Sequence, residues 1–206
     1  MEVIEKDRLS LAEEALSKGK DYQEYRERVH RLAEEGKTTG PEQSEARINF
    51  TQLNDQRMRR WEKTFKMPED VHEKLSKLDS KLVFLVLTES WCGDAAASLP
   101  IMDQIARKAK NIELKIVLRD ENLELMDAFL TQGSRSIPKL IVLDKNKEQI
   151  VGEWGPRPSV ATEMVEAFKA AHGKLTDGFK QDLQVWYNKD KGKNILGDIL
   201  QLLALE

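Results

Sequence analysis

The sequence predicts an α/β domain in which a mixed central sheet has helices on both faces, with a helical extension before it and further helices after it. Three observations lead to this prediction. The run Leu82–Leu87 is apolar without interruption, which is typical of a strand buried on both faces. Short apolar runs and helical patterns then alternate as far as residue 144. The spacing of apolar residues is helical within 1–66 and again from Pro156 onward.

The first 66 residues are predicted to form helices. Apolar side chains from Leu9 to Leu16 follow the spacing that places them on one helical stripe. Asp21, followed three residues later by Glu24, resembles a capping box at the start of a second helix. Residues 41–80 contain no glycine but several large apolar side chains, and burying an aliphatic or phenylalanine side chain contributes up to about 3 kcal/mol. We therefore expect a long helix along the core there.

Strands and helices are predicted to alternate after Pro68. The predicted helices cover residues 69–78, 93–109 and 123–130, and the predicted strands cover residues 82–87, 113–118, 139–143 and a short segment near Ile150. Two apolar strands before the turn at 144–147 are separated by helices, which favours a parallel pair. The turn itself is expected to join the last two strands as an antiparallel hairpin.

Composition and charge exclude several classes of protein. The 206 residues carry a formal charge of −3 and a pI of about 5.8, so no positive field is present to hold a nucleic acid. No apolar run approaches the roughly 20 residues that a transmembrane helix needs. The first twenty residues lack the apolar core of a secretory signal. We therefore expect no nucleic-acid partner and no membrane partner.

Cysteine and histidine usage narrows the chemistry further. Cys92 is the only cysteine, which rules out an intrachain disulfide and indicates a reducing compartment, so a cytoplasmic location is expected. His30, His72 and His172 do not have the spacing of metal ligands, and no metal site is predicted.

Cys92 is the candidate reactive residue. It follows the buried strand by a few residues, and a helix is predicted to begin at or just after it. Unpaired backbone N–H groups and the positive end of the helix dipole would favour the thiolate there. Glu89 and Asp94 act in the opposite direction, because a nearby negative charge disfavours a second anion. A lone cysteine can also be an inert buried residue, and that alternative stays open at this point.

The segment from residue 69 to residue 173 resembles the thioredoxin superfamily. The resemblance rests on the buried strand, the Trp91–Gly93 loop, the helix that contains Pro100, and Ser136–Pro138 before a later strand. It implies a thioredoxin-like fold over 69–173, with residues 1–68 as a helical extension and residues 174–206 as helices packed on the same core.

The resemblance also assigns roles to individual residues. Cys92 corresponds to the attacking cysteine, the Ile137–Pro138 peptide corresponds to the cis peptide that lies against it, and Trp91 corresponds to the aromatic residue that borders the substrate groove. The other residues expected to line this groove are Gly93, Asp94, Ala95 and Lys139. The loop reads Trp-Cys-Gly-Asp, which differs from the common Trp-Cys-Gly-Pro.

Three positions depart from the family pattern. Ala95 stands where the second cysteine of C-x-x-C is expected, so no thiol of the same chain can resolve a mixed disulfide. Val86 stands where thioredoxins have the buried acid that assists deprotonation. Lys139 is a cation that could stabilise a Cys92 thiolate from across the loop, or it could be an exposed lysine that only aids solubility.

Two functions remain open from the sequence. The first is thiol–disulfide exchange through Cys92 alone, with protein or peptide thiols and disulfides as partners. The mixed disulfide would then be resolved by an external thiol such as glutathione, with no bound cofactor. The alternative is a redox-inactive binding module that uses the groove beside Pro138. Whether the N-terminal helices cover the site is a question for the structure.

Overall fold

The computed structural model describes the backbone of residues 2–205 and the side chains of residues 7–205. The chain divides into two compact units, one ending at Pro156 and one beginning at Arg157. The helices of the first unit are α1 (Glu2–Lys18), α2 (Tyr22–Glu34), α3 (Glu45–Thr64), α4 (Glu69–Ser76), α5 (Gly93–Ala109) and α6 (Leu123–Ala128). Its strands are β1 (Leu82–Thr88), β2 (Ile112–Leu118), β3 (Lys139–Asp144) and β4 (Gln149–Trp154). The second unit contains α7 (Ser159–His172), α8 (Asp177–Asp190) and α9 (Lys193–Leu202).

The four strands form one mixed sheet in the order β2-β1-β3-β4. β1 runs parallel to β2 and antiparallel to β3, and β3 and β4 form an antiparallel hairpin. All seven residues of β1 are buried, as expected of a central strand that is covered on both faces. These features confirm the predicted α/β class, the parallel pair and the hairpin.

The topology brings three chain segments to one edge of the sheet. β1 and β2 are parallel, so their last residues, Thr88 and Leu118, lie side by side. β3 runs the other way, and its first residue, Lys139, pairs with Leu87 near the end of β1. The loop after β1, the turn after β2 and the Ile137–Pro138 segment therefore meet at this edge.

The N-terminal helices pack on the same unit. Asp21 caps α2 with the reciprocal hydrogen bonds of a capping box, as predicted. The backbone of Lys20 exchanges two hydrogen bonds with Ile116, at 2.8 and 2.9 Å, and so extends the sheet beyond β2. The predicted long helix is α3, which lies against α2 and α5.

In the second unit, the start of α7 is capped by side chains of α9. Asp198 accepts hydrogen bonds from the backbone and the hydroxyl of Ser159, at 2.7 and 2.8 Å, and Asn194 accepts one from the Val160 N–H. The helices predicted after Pro156 are present, while the predicted domain limits at 68/69 and 173/174 stay predictions. None of the helices in the described part of the chain has the length and apolar character to cross a membrane.

Candidate functional site

Cys92 lies in the loop between β1 and α5, at the start of the helix. It is the N-cap residue of α5, with extended backbone angles (φ −78°, ψ 112°), and its carbonyl accepts the Ala96 N–H at 3.2 Å. The N–H groups of the first turn have no partner within the helix, which is the arrangement that favours an anion. The residue is 7% exposed, and its Sγ donates a hydrogen bond to the Ile137 carbonyl at 3.2 Å.

Ile137 and Pro138 form the opposite wall of the site. The peptide bond between them is cis, and both residues are buried. Gly155, just after β4, packs directly on this wall with φ +110°. A Cβ at position 155 would lie 2.1 Å from the Pro138 carbonyl oxygen, so only glycine fits there. The end of the hairpin thus fixes the position of Pro138.

A buried cluster of hydroxyl groups holds the loop that precedes Cys92. The Ser90 Oγ lies 2.8 Å from the Thr51 Oγ1 of α3 and 3.1 Å from the Thr38 Oγ1, and it accepts the Thr39 N–H at 3.0 Å. The Ser90 N–H in turn donates to the Thr39 Oγ1 at 2.8 Å. Asn54 of α3 donates to the Ser90 carbonyl at 2.9 Å. Residues between α2 and the middle of α3 therefore lie over the loop. The N-terminal extension thus covers the loop that precedes Cys92.

Two arginines cover the ring of Trp91. The guanidinium of Arg47, from α3, lies 4.5 Å from the ring centroid, and that of Arg119, after β2, lies 5.0 Å from it. Arg119 is paired with Asp120 at 2.8 Å, and Arg47 lies 4.0 Å from the same carboxylate. Both guanidinium groups therefore pack on Trp91 at the edge of the sheet where the chain segments meet.

Burial favours the neutral form of Glu89, one of the acids near Cys92. Glu89 is fully buried, and its Oε1 accepts the Asp120 N–H at 2.9 Å. Burial raises the pKa of Glu89, which favours the neutral acid and weakens its opposition to a Cys92 thiolate. Asp94 is also buried and faces Arg57 of α3, whose pKa is lowered by burial while the charge of Asp94 acts against that shift.

Tyr25 brings α2 into the same region. Its side chain is buried, and its pKa is raised by burial and, to a smaller extent, by the negative charges of Cys92 and Glu89. The phenol therefore lies within electrostatic range of both groups. Tyr25 is thus a buried neighbour of the thiol.

The structure brings most of the predicted site residues together. Trp91, Gly93, Asp94 and Ala95 are contiguous with Cys92, and Ile137 contacts it directly. Lys139 is buried, and its Nζ lies 2.8 Å from the Glu153 Oε2 and donates to the Thr131 Oγ1 at 3.3 Å. The alternative of an exposed lysine that aids solubility is therefore wrong, because Lys139 is bound within the fold.

Several residues of the site were missed from the sequence. Arg47, Thr51, Asn54 and Arg57 share one face of α3, and each contacts or faces the loop of residues 90–94. Arg57, Arg59 and Arg60 form a dense basic cluster, a pattern that from sequence alone favours a solvated helix face. That holds for the exposed Arg59 and Arg60, but Arg57 itself is partly buried. The helical spacing of positions 47, 51, 54 and 57 was the available signal.

No metal site accompanies this arrangement within the part of the chain that the structure describes. No three side chains of the His, Cys, Asp and Glu types are grouped there so that they could hold an ion. The chemistry of the site has to be argued from the thiol, the helix terminus and the surrounding charges.

Comparisons with known proteins identify the family. A family model described as "Thioredoxin" matches residues 40–169, more than half of the chain. Among solved structures, a protein of unknown function, PA1234 from Pseudomonas aeruginosa, is similar at a TM-score of 0.54 and 23% identity, over 74% of this chain and 84% of that one. An HIV epitope-scaffold is similar at a TM-score of 0.56 and 20% identity, over 90% of this chain and 98% of its own. Both structures share the fold, and no curated protein matches the sequence. The chain belongs to the thioredoxin superfamily.

Proposed function

We propose that this protein carries out thiol–disulfide exchange through Cys92 alone. The observation that supports this most directly is the position of the Cys92 Sγ at the start of α5, 3.2 Å from the Ile137 carbonyl and beside Pro138. The Cys92 thiolate attacks one sulfur of a protein or peptide disulfide. A new S–S bond forms to Cys92, the old S–S bond breaks, and the second sulfur leaves as a thiolate that takes a proton from water.

Release of the product needs a second molecule. Ala95 occupies the position three residues after Cys92, one turn along α5, and it has no thiol that could attack the mixed disulfide. An external thiol such as glutathione therefore attacks the substrate sulfur, forms a disulfide with it and returns Cys92 as a thiolate. Because an intramolecular thiol would act at a high effective concentration, its absence lengthens the life of the covalent complex.

The electrostatics of the site are compatible with a thiolate. The N–H groups of the first turn of α5, which have no partner within the helix, favour negative charge on sulfur. Glu89 opposes a Cys92 thiolate less than its sequence position suggests, because burial raises the pKa of the Glu89 carboxyl. A chain with one cysteine suits a reducing compartment, and we place the reaction in the cytoplasm on that ground.

A redox-inactive binding module is the second candidate, and specific observations favour it. The Sγ donates to a carbonyl oxygen, which stabilises the neutral thiol, and the residue is nearly buried. Val86 and Ala95 leave the site without the acid and the second thiol of the thioredoxin pattern. In this reading, the groove beside Pro138 holds a peptide without covalent chemistry.

Glutathione disulfide distinguishes the two candidates. Incubation of the reduced protein with this reagent is expected to add one glutathionyl group per chain, measured by intact-protein mass spectrometry. Addition of reduced glutathione is expected to remove that group. The Cys92→Ser variant is the matched control and gains no mass. A wild-type chain that gains no mass either would overturn the proposed exchange and favour the binding module.

A further inference from the structure

Two guanidinium groups lie over the ring of Trp91, which is only partly buried. Arg47 and Arg119 lie over the ring at 4.5 and 5.0 Å from its centroid, within the range of a cation–π contact. Trp91 directly precedes Cys92, so this cluster of two arginines and a tryptophan lies next to the thiol-bearing residue along the chain. A substrate that approaches Cys92 along this side meets guanidinium groups where an apolar ring face would otherwise be exposed.

The charge of this cluster is only partly balanced. Asp120 is shared by both arginines, and the side chains of Arg47, Arg119 and Asp120 are 24%, 16% and 15% exposed. Both cations contact Asp120, while Glu89, the other buried carboxyl within electrostatic range of Arg119, has its pKa raised by burial and is shifted toward the neutral acid. Glu42, which also contacts Arg47, is 56% exposed, so solvent screens its charge more strongly. Each guanidinium has five N–H donors, more than its contacts to these acids and, for Arg119, to the Arg135 carbonyl at 3.5 Å require.

We propose that Arg47 and Arg119 form a carboxylate subsite beside Cys92, which selects thiols and disulfides that carry a carboxylate close to sulfur. Guanidinium groups bind carboxylates through paired, charge-assisted hydrogen bonds, and a partly buried cluster is screened less than an exposed one. The subsite selects substrates for the proposed exchange, and this role in substrate choice rests on that function. Its existence can be tested without any disulfide.

Two alkylating reagents of matched size provide that test. Iodoacetate and iodoacetamide attack the same thiolate and differ by one negative charge. The thiol pKa and most effects of burial change both rate constants equally, so they cancel in the ratio of the two rate constants. It is measured for Cys92 by mass spectrometry and divided by the ratio for N-acetylcysteine amide, a neutral thiol. The variants are Arg47→Met and Arg119→Met, and Arg60→Met, an exposed arginine on the same helix, is the control.

The subsite predicts a normalised ratio above one in the wild type. Each of Arg47→Met and Arg119→Met is expected to lower it by roughly two- to threefold, the size of effect that one unit charge exerts in water over a separation of about 8 Å. Arg60→Met is expected to leave it unchanged. A wild-type ratio at or below one, or a ratio that neither subsite variant lowers, would overturn the proposal. A thiol that neither reagent modifies would do the same, since no carboxylate ligand could then reach it.

This outcome is separable from the fate of the proposed exchange. If the ratio responds as expected but no glutathionyl group is added, the subsite stands and the exchange function fails. If the group is added but the ratio is flat, only the subsite fails. Should Arg119→Met not fold, because Arg119 is also paired with Asp120, the Arg47→Met variant decides the question alone.

Discussion

Gly155→Ala is expected to damage both the stability of the protein and the geometry of the site. The new methyl group would lie 2.1 Å from the Pro138 carbonyl oxygen, a backbone atom that cannot rotate away. The residue also has φ +110°, a backbone angle that residues other than glycine rarely adopt. Either the end of β4 or the Pro138 segment must therefore move.

The expected cost follows from these two effects. A left-handed backbone angle costs an L-residue roughly 1–2 kcal/mol, and overpacking of a tight contact adds roughly 1–3 kcal/mol. Alanine also restricts the unfolded chain, which returns roughly 0.4–1 kcal/mol. The free energy of unfolding should fall by about 3 kcal/mol for Gly155→Ala. Because the Ile137 carbonyl accepts the hydrogen bond from Cys92, the alkylation rate of Cys92 should change as well.

Gly133→Ala provides the matched control. Gly133 also has a positive φ, +73°, but a Cβ there would have no atom within 4 Å. This variant isolates the cost of the backbone angle and should lose only about 1 kcal/mol. Unfolding is followed by circular dichroism in urea for both variants. A loss for Gly155→Ala no larger than that for Gly133→Ala would refute the close approach of Gly155 to Pro138.

Three further predictions concern the loop around the thiol. Ser90→Ala removes the acceptor of the buried Thr39 N–H, and urea unfolding should show a loss of about 2 kcal/mol; an unchanged midpoint would mean that the hydroxyl cluster does not hold the loop. Ala95→Cys places a second thiol one turn after Cys92. This variant should reduce insulin or another model disulfide that the wild type does not reduce. No gain of reductase activity would show that the two side chains are not aligned. Glu89 has a raised pKa in the folded protein, so the folded state binds more protons and stability is lost as pH rises above the pKa of the unfolded chain. Glu89→Gln should therefore stabilise the protein more at pH 8 than at pH 4.5 in urea titrations, and an equal effect at both pH values would contradict the sign of this shift.

Much of the fold follows from local sequence patterns. The uninterrupted apolar run at 82–87 predicted a strand buried on both faces, and β1 has that burial along its whole length. The spacing of apolar residues and the capping box at Asp21 predicted α2, because both signals depend on neighbours within one or two turns. The position of Cys92 at the start of a helix followed from the same local reasoning.

The walls of the site could not be predicted in this way. Thr38, Thr51 and Ser90 form one buried cluster although they are separated by 13 and 39 residues, and single hydroxyl residues have no periodic pattern. The pair of arginines around Trp91 comes from α3 and from the turn after β2, so it exists only once those elements have packed. Such contacts depend on tertiary packing, which a pattern along the chain does not encode.

The partner of Lys139 could not be predicted from the sequence either. A lysine at the start of a strand is usually exposed, and the sequence offered no sign of its partner. The structure pairs it with Glu153, which lies across the β3–β4 hairpin and also contacts Arg8 of α1. Desolvation tends to raise the pKa of Glu153, but the two cations outweigh it and lower the pKa, which keeps the buried lysine neutralised.

The central claim is that Cys92 is a reactive thiolate, and the pH dependence of its alkylation in the wild-type protein tests it most directly. The rate of modification by iodoacetamide is measured from pH 4 to pH 10 by mass spectrometry. We expect the pKa of the Cys92 thiol to lie below that of a free thiol, because the helix N-terminus favours the thiolate. A pKa at or above about 8.5, together with slow modification, would contradict it and leave Cys92 as an inert buried residue.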